Sequence, residues 1–312
     1  MANSSLPQDV AAKIDQLSIN TIGVVLKKLP DEIFHYTSAN GLLGILSETQ
    51  LRATNISFLN DSTEYQHSID GFSFVARHNL KPDNPIPSNI LLNNILERIS
   101  RASGEKLIPP VYVSCFSEVS DSLSQWRGYG HGEGGFAIGF NVPKLIDVVL
   151  TEGALLWPCI YAPQEQARLY EKLLLELDKI FQQAVFANSD LQNSSSFASE
   201  FAKYALLKLS VFAPLIKHHA FKEESEWRIV RTLEAWDVRN LKFIVRGTTI
   251  SGFQPISMTS KVGSSGLMPI SSIIVGPSRH MGLSKVALEA FLMQLGYPNG
   301  LVRLSTVPFR SI

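Results

Sequence analysis

"VYVSCFSE", residues 111–118, is the clearest strand in the chain, a short run of β-branched and aromatic side chains suited to a packed, pleated surface. Downstream of it, "SDSLSQWRGYGHGEGGFAIGF" reads as a Ser- and Gly-rich loop running into a second strand over Gly135 to Phe140. Upstream, "DEIFHYTSANGLLGIL", residues 31–46, opens with the strand-like EIFHYT. It continues as a helix that Ser38 can cap, with Leu42, Leu43, Ile45 and Leu46 facing inward. "LRATNISFLNDSTEY" adds a strand around Leu51 to Thr54, then a cap at Asn60, Asp61 or Ser62 for a helix carrying Tyr65, Ile69, Phe72 and Phe74. The turn-rich "LKPDNPIP", residues 80–87, precedes a helix over 88–100.

Farther on, "LWPCIYA" suggests a short strand, and helical patterns cover Gln164 to about Ala187 and roughly 199–212. "SEWRIVR", "LKFIVR" and "ISSIIVGP" are strand candidates. A helix after Arg279 with Leu283, Val286, Ala287, Phe291 and Leu292 leads to a last strand, "LVRLSTVPF". Strands and helices do not alternate as a doubly wound fold requires. The expected class is therefore α+β: a strongly bent, mainly antiparallel sheet with flanking helices and a helical insertion at about 163–212. Residues 1–30, with a helix over roughly 10–28 stopped by Pro30, form an N-terminal accessory segment, and 31–312 a single domain.

In 312 residues, 28 basic side chains balance 28 acidic ones, so no overall field draws the chain to nucleic acid or an anionic membrane, although a local basic cleft stays open. Cys115 and Cys159 are too few for a disulfide scaffold, and a reducing cytoplasm is expected. The first twenty residues lack a signal-peptide pattern and no apolar run reaches membrane-spanning length, so no membrane partner is expected.

Four polar stretches are attached to strands: His35 to Ser38, Ser114 to Ser117, Gln125 to Tyr129 and Lys222 to Arg228. In "HAFKEESEWRIV", extended alternation puts Glu224, Glu226 and Arg228 on one face, with Trp227 and Ile229 on the other. A carboxylate beside an arginine stays ionised and can stabilise a developing cation; it reads equally as an edge-strand salt bridge. His35, at a strand-to-helix junction, could bind a ribose hydroxyl or simply fix the start of its helix. The glycines of "QWRGYGHGEGG" could admit a ligand and Arg127 could reach a phosphate, but neither GxGxxG nor GxxxxGK[ST] occurs, and a flexible hairpin around Trp126 fits as well. His218 and His219, adjacent and pointing apart if extended, lack partners at zinc spacing, so no metal is expected. GxSxG hydrolase and standard nucleic-acid motifs are absent.

Taken in order, "FHYTS...GLLGIL", "LRATNISFLNDSTE", "VSCFSE..DSLSQWRGYG....GFAIGF", "HAFKEESEWRIV" and "ISSIIVGP" resemble the bacterial proteins grouped as the DUF2971 family, over about residues 33–309. HYT before a helix, a central serine-bearing strand and a late carboxylate-bearing strand are also similar to the three-part pattern of ADP-ribosyltransferases, which split NAD at the nicotinamide–ribose bond. That resemblance implies an ADP-ribosyltransferase-like sheet and NAD as substrate. Glu226 would be the catalytic acid, Glu224 would orient the acceptor, and His35, with Tyr36 and Thr37, would hold the dinucleotide. The second motif departs from the pattern, with Ser114 and Ser117 but not the expected Ser-Thr-Ser; Tyr112, Tyr129 or neither would stack on nicotinamide, and the loop of Trp126 and Arg127 would help hold the dinucleotide. The acceptor is open: protein, nucleic acid or small molecule. His35, Ser114, Arg127 and Glu226 are expected to converge, which requires His35 and Glu226 to reach one face. The competing readings are a nucleic-acid-processing toxin and a non-catalytic nucleotide-sensing or interaction domain, the latter with Trp126 and Trp227 in an exposed binding face and little concavity near Glu226.

Overall fold

A computed structural model describes residues 6–22, 28–59, 64–81, 83, 86–105, 111–129, 134–188, 195–232, 241–246, 248–259 and 266–308. Among them, ten strands form one open sheet: β1 (Glu32–Thr37), β2 (Gln50–Asn55), β3 (Val111–Ser117), β4 (Phe136–Asn141), β5 (Leu155–Pro158), β6 (Glu226–Thr232), β7 (Lys242–Arg246), β8 (Thr249–Ser257), β9 (Ile270–Val275) and β10 (Val302–Leu304). Every pairing is antiparallel except that of β9 with β10. The mixed, mostly antiparallel architecture read from the sequence is therefore present.

The sheet forks at β3. Along one edge, β6 pairs with the whole strand, from Val111 opposite Thr232 to Ser117 opposite Glu226. The other edge is divided: Ser117 pairs with Phe34 of β1, while Tyr112 and Val113 pair with Asn55 and Thr54 of β2. β1 and β2 thus part company beside Ser114, Cys115 and Phe116.

Helices cover both faces. On one, α1 (Gln8–Ile22), α3 (Glu64–Asn79), α4 (Ile86–Glu105), α7 (Pro163–Ala187) and α8 (Ser195–Leu209) share a core with Val111, Val113 and Val230. The two helices read as an insertion, and the N-terminal helix read as accessory, belong to one bundle. On the other face, α2 (Ala39–Glu48), α6 (Val142–Thr151) and α9 (Met281–Gln294) pack on Ile33, Phe116, Ile138, Trp227 and Ile229. α5 (Leu123–Tyr129) lies beside the bundle, with Trp126 in a small core of Phe34, Tyr36, Ala137 and Ile274.

Ser38 caps α2 as expected, accepting a hydrogen bond from the Gly41 amide at 3.2 Å, but Leu43 is exposed. The caps expected at Asn60, Asp61 or Ser62 lie outside the described residues. Three elements were not legible. Leu123–Tyr129 is helical although its serines and glycine suggest a loop, because the Trp126 indole is drawn onto the sheet. α6 begins directly after β4, where Asn141 accepts from the Lys144 amide. β8 contains Gly252 and Pro255, which interrupt a strand pattern, yet it is held on both sides by β2 and β7.

Gly276 admits the Trp126 ring: a Cβ there would lie 2.8 Å from its Cε3 and 2.9 Å from the Gly135 carbonyl oxygen. Gly276→Ala is expected to cost about 1–3 kcal/mol by overpacking, visible as a lower urea midpoint together with altered tryptophan fluorescence.

Candidate functional site

Where β1 and β2 separate, a cleft of about 160 Å³ opens between α5 and the helical bundle. β1 contributes Phe34 and Tyr36, β2 Arg52 and Thr54, β6 Glu226 and Arg228, and α5 Gln125 and Tyr129. Glu64 at the start of α3, and Lys217, Phe221 and Glu224 on the segment before β6, complete the floor and one wall.

Its floor is an ion cluster. Arg228, 1% exposed, donates from Nε to Glu226 Oε1 at 2.8 Å, and from Nη2 to Glu226 Oε2 at 2.9 Å and to Glu64 Oε2 at 2.8 Å. Its Nη1 reaches the Pro214 carbonyl oxygen at 2.6 Å. Lys217 Nζ lies 2.6 Å from both Glu224 Oε2 and Glu226 Oε2, and 3.4 Å from Glu64 Oε1. Burial alone would push the Glu226 carboxyl up, but the Arg228 guanidinium, then Lys217, outweigh it and hold its pKa at about 2. Burial would likewise lower Lys217, yet Glu226, with Glu64 and Glu224, leaves the ammonium above its ordinary range. The Cys115 thiol is pushed well up by burial and then by Glu226, which makes it a poor nucleophile.

Glu226 and Arg228 share a face while Trp227 and Ile229 enter the opposite core, as alternation requires. Glu224 is a correction to that pattern. It ends a 3-10 turn, His219–Glu224, and Ser225 in the left-handed region (φ 42°) breaks the strand, so its carboxylate joins Glu226 through Lys217 instead of through strand geometry. The same turn brings His218 and His219 together, with ring centroids 4.3 Å apart.

His35 and Ser114 border the cleft, but from the other side of the sheet. Phe34 pairs with Ser117, and Ser117 with Glu226, so Phe34 is on the Glu226 side and His35 is not. The His35 ring packs 5.6 Å from Phe116, and Nδ1 lies 2.8 Å from the Cys115 carbonyl oxygen at the fork. The expected pairing of His35 with Glu226 on one face is therefore corrected: the imidazole clamps the end of the ladder. Ser114 faces the same way as Ile229, and its buried Oγ has no hydrogen-bond partner among the described residues.

Four other expected ligands hold structure. Tyr36 lines the cleft, yet its hydroxyl donates to the Val119 carbonyl oxygen at 2.7 Å and accepts from the Ser122 amide. Thr37 fills the space above Gly41, whose added Cβ would meet Thr37 Oγ1. Ser117 Oγ donates to the Glu224 carbonyl oxygen at 2.7 Å. Trp126 is buried, its Nε1 donating to Asp121 at 2.7 Å. Arg127 is exposed and does not line the cleft, which corrects its expected convergence with Glu226, because one helical turn sends residues 125 and 129 inward and 127 out. Of the two candidate stacking tyrosines, Tyr129 lines the cleft and Tyr112 is buried in the core on the opposite face. Trp126 and Trp227 are both buried and a concavity adjoins Glu226, contrary to the expected tryptophan binding face.

Lys217, Glu64, Arg52 and Phe221 were not singled out by sequence, and Gln125 entered only as the first residue of the polar stretch 125–129, with no role of its own. A lysine closing the apolar run "VFAPLIK" is the one local signal, since a charge there must be buried with a partner or mark a boundary. Among the described residues no group of three or more His, Cys, Asp or Glu could hold a metal ion, and no helix is long and apolar enough to cross a membrane.

The family model for "Protein of unknown function (DUF2971)" matches residues 125–229, about a third of the chain, and this stretch is similar to that family. The matched stretch runs from Gln125 on α5 to Ile229 on β6, so it includes the α5 wall and the Lys217–Arg228 floor. No curated protein and no solved structure matches the chain.

Because the folded pKa of Glu226 is below its ordinary 4.5, its stabilisation is fully present above pH 4.5 and is lost as pH falls toward 2. The loss should be on the order of 3 kcal/mol, measured as unfolding free energy against pH, with a flatter profile in Glu226→Gln. Arg228→Met leaves three carboxylates of the cluster to Lys217 alone and should cost about 3–5 kcal/mol in denaturant unfolding at neutral pH.

Proposed function

We propose that the cleft binds NAD with its nicotinamide end over the Glu226 floor, releases nicotinamide, and passes ADP-ribose to an acceptor or to water. The observation that carries this reading is the charge on the floor of an aromatic-walled cleft: three carboxylates, Glu64, Glu224 and Glu226, face two cations, Lys217 and Arg228, beside Phe34, Phe221 and Tyr129, while the third cation of the lining, Arg52, stands apart from this cluster. One excess negative charge favours the cationic nicotinamide ring and then the ribose cation left behind. In that step the C1′–N bond breaks, nicotinamide leaves with the electron pair, and the attacking hydroxyl or amine loses a proton.

Glu226, kept ionised by Arg228, faces the developing cation. Glu224, tied through Lys217 and a quarter exposed, is positioned toward an acceptor. Arg52, exposed at the mouth with its guanidinium 5.3 Å from the Phe253 ring centroid, is available to the pyrophosphate. In this reading the fork corresponds to an ADP-ribosyltransferase-like split sheet, His35 and Trp126 set its shape, and a reducing cytoplasm suits the two free cysteines. Where it is not water, the acceptor is a protein or nucleic-acid group. A second reading, nucleotide sensing without turnover, is favoured by the saturation of Glu226, both of whose oxygens are already bonded.

One experiment separates them: NAD labelled in its nicotinamide and adenine halves, incubated with the protein and cell extract. Nicotinamide release with adenine label on a macromolecule is the expected result, and release with free ADP-ribose indicates water as acceptor. Binding without release supports sensing, and no binding at millimolar NAD overturns both. Glu226→Gln should lower release about a hundredfold or more, with thermal unfolding confirming that the variant is folded.

A further inference from the structure

We infer that the inner face of α5 reads a carboxamide on a flat ring: the side-chain amide of Gln125 pairs with the ligand amide while Tyr129 lies against the ring plane. This rests on the NAD reading above and assigns the nicotinamide end to α5, with Gln125 as the residue that sets specificity.

Gln125 and Tyr129 are four residues apart on a helix, so their side chains stand one above the other, and both line the cleft. Gln125 is only 8% exposed, yet its amide makes no hydrogen bond to another described residue. Its surroundings make that unusual. Tyr36, Ser117, Trp126, Glu226 and Arg228 are all bonded, and Gln166, equally buried at 8%, donates from Nε2 to the Ile160 and Lys217 carbonyl oxygens. Gln125 is held among packed neighbours while its amide keeps its hydrogen-bonding capacity for the cleft, which marks where a ligand would complete the pairing.

A glutamine amide offers a donor and an acceptor side by side. A second amide matches both, in two opposed hydrogen bonds. A carboxylate offers acceptors alone, so it would leave the Gln125 oxygen unmatched and would also meet the excess negative charge of the floor. Tyr129 supplies the ring contact. It is 37% exposed at the mouth, its hydroxyl has no partner among the described residues, and burial, with Cys115 and Glu226 nearby, raises its pKa and keeps it a neutral phenol. The cleft is therefore built to accept nicotinamide and refuse nicotinic acid, two molecules of the same size.

The test is calorimetric titration of the intact protein with four probes: NAD, its deamido form with a carboxylate on the pyridine ring, free nicotinamide and free nicotinic acid. Wild type should bind each amide about tenfold or more tightly than its acid counterpart. Gln125→Leu, similar in volume and apolar, should bring that ratio close to one without lowering thermal stability, and Tyr129→Ala should weaken amide and acid alike. If wild type binds the two dinucleotides equally, or if Gln125→Leu keeps the full preference, the assignment of Gln125 is overturned while the NAD reading stands. Failure of wild type to bind NAD or nicotinamide at millimolar concentration removes the NAD reading and this inference with it. The wild-type ratio needs no variant, so the inference can fail even if Gln125→Leu does not fold.

Discussion

The buried guanidinium of Arg228 is the constraint around which the rest of the site is arranged. Its donors bind Glu226 on its own strand, Glu64 at the start of α3 and the Pro214 carbonyl oxygen in the segment leading back to the sheet. Sheet, bundle and connecting segment are thus tied at one point. The tie also fixes register. A one-residue slip of β6 would carry Arg228 to the face where Trp227 and Ile229 now pack and would bring an indole into the ion cluster, so no slipped pairing competes.

Such a cluster is not the cheapest way to stabilise a sheet, because apolar residues of similar volume commonly do as well or better than a buried ion pair. Its location is what gives it meaning. At the fork, β1 and β2 separate beside Ser114, Cys115 and Phe116 of β3, and there the charges border the cleft. Lys217 can neutralise Glu224 and Glu226 together only because the turn after it folds back and Ser225 takes up the left-handed conformation before β6 starts. A purely structural salt bridge between Glu226 and Arg228 would need neither Lys217 nor Glu64. The five-membered cluster has one carboxylate in excess, which is the charge that the proposed cationic ligand would meet.

What was legible in the sequence was local. The alternation of Glu226, Trp227, Arg228 and Ile229 gave the faces of β6, and the β-branched and aromatic run of residues 111–117 gave the central strand, because a period of two depends on adjacent residues alone. The rest depends on long-range contact. α5 is under two turns long, too short to be stable by itself, and exists because Trp126 packs on Tyr36 with ring centroids 4.7 Å apart. Reading it as a loop put Arg127 with Tyr129 at the cleft, whereas helical geometry turns Arg127 outward and brings Gln125 to the cleft beside Tyr129. Glu64 and Lys217 enter the cluster from the bundle and from the link to β6, and no spacing rule connects them. His35 was conspicuous by residue type, but its face was fixed by the pairing of Phe34 with Ser117, which no local pattern encodes.

Because α5 is held only by tertiary contacts, the shape of the cleft depends on segments remote from it. Asp121, just before the helix, accepts hydrogen bonds from the Trp126 indole, from Ser305 Oγ and from the Thr306 amide, so the segment after β10 grips the same helix that carries Gln125 and Tyr129. Burial would raise the Asp121 carboxyl, but these bonds outweigh it and hold it below the usual range, so the grip persists through neutral pH. The cleft therefore has one wall anchored in a buried ion cluster and another suspended from a few hydrogen bonds and a single indole. A ligand that spans both walls would add the contacts α5 lacks on its inner face, so binding and the ordering of that helix draw on the same interactions.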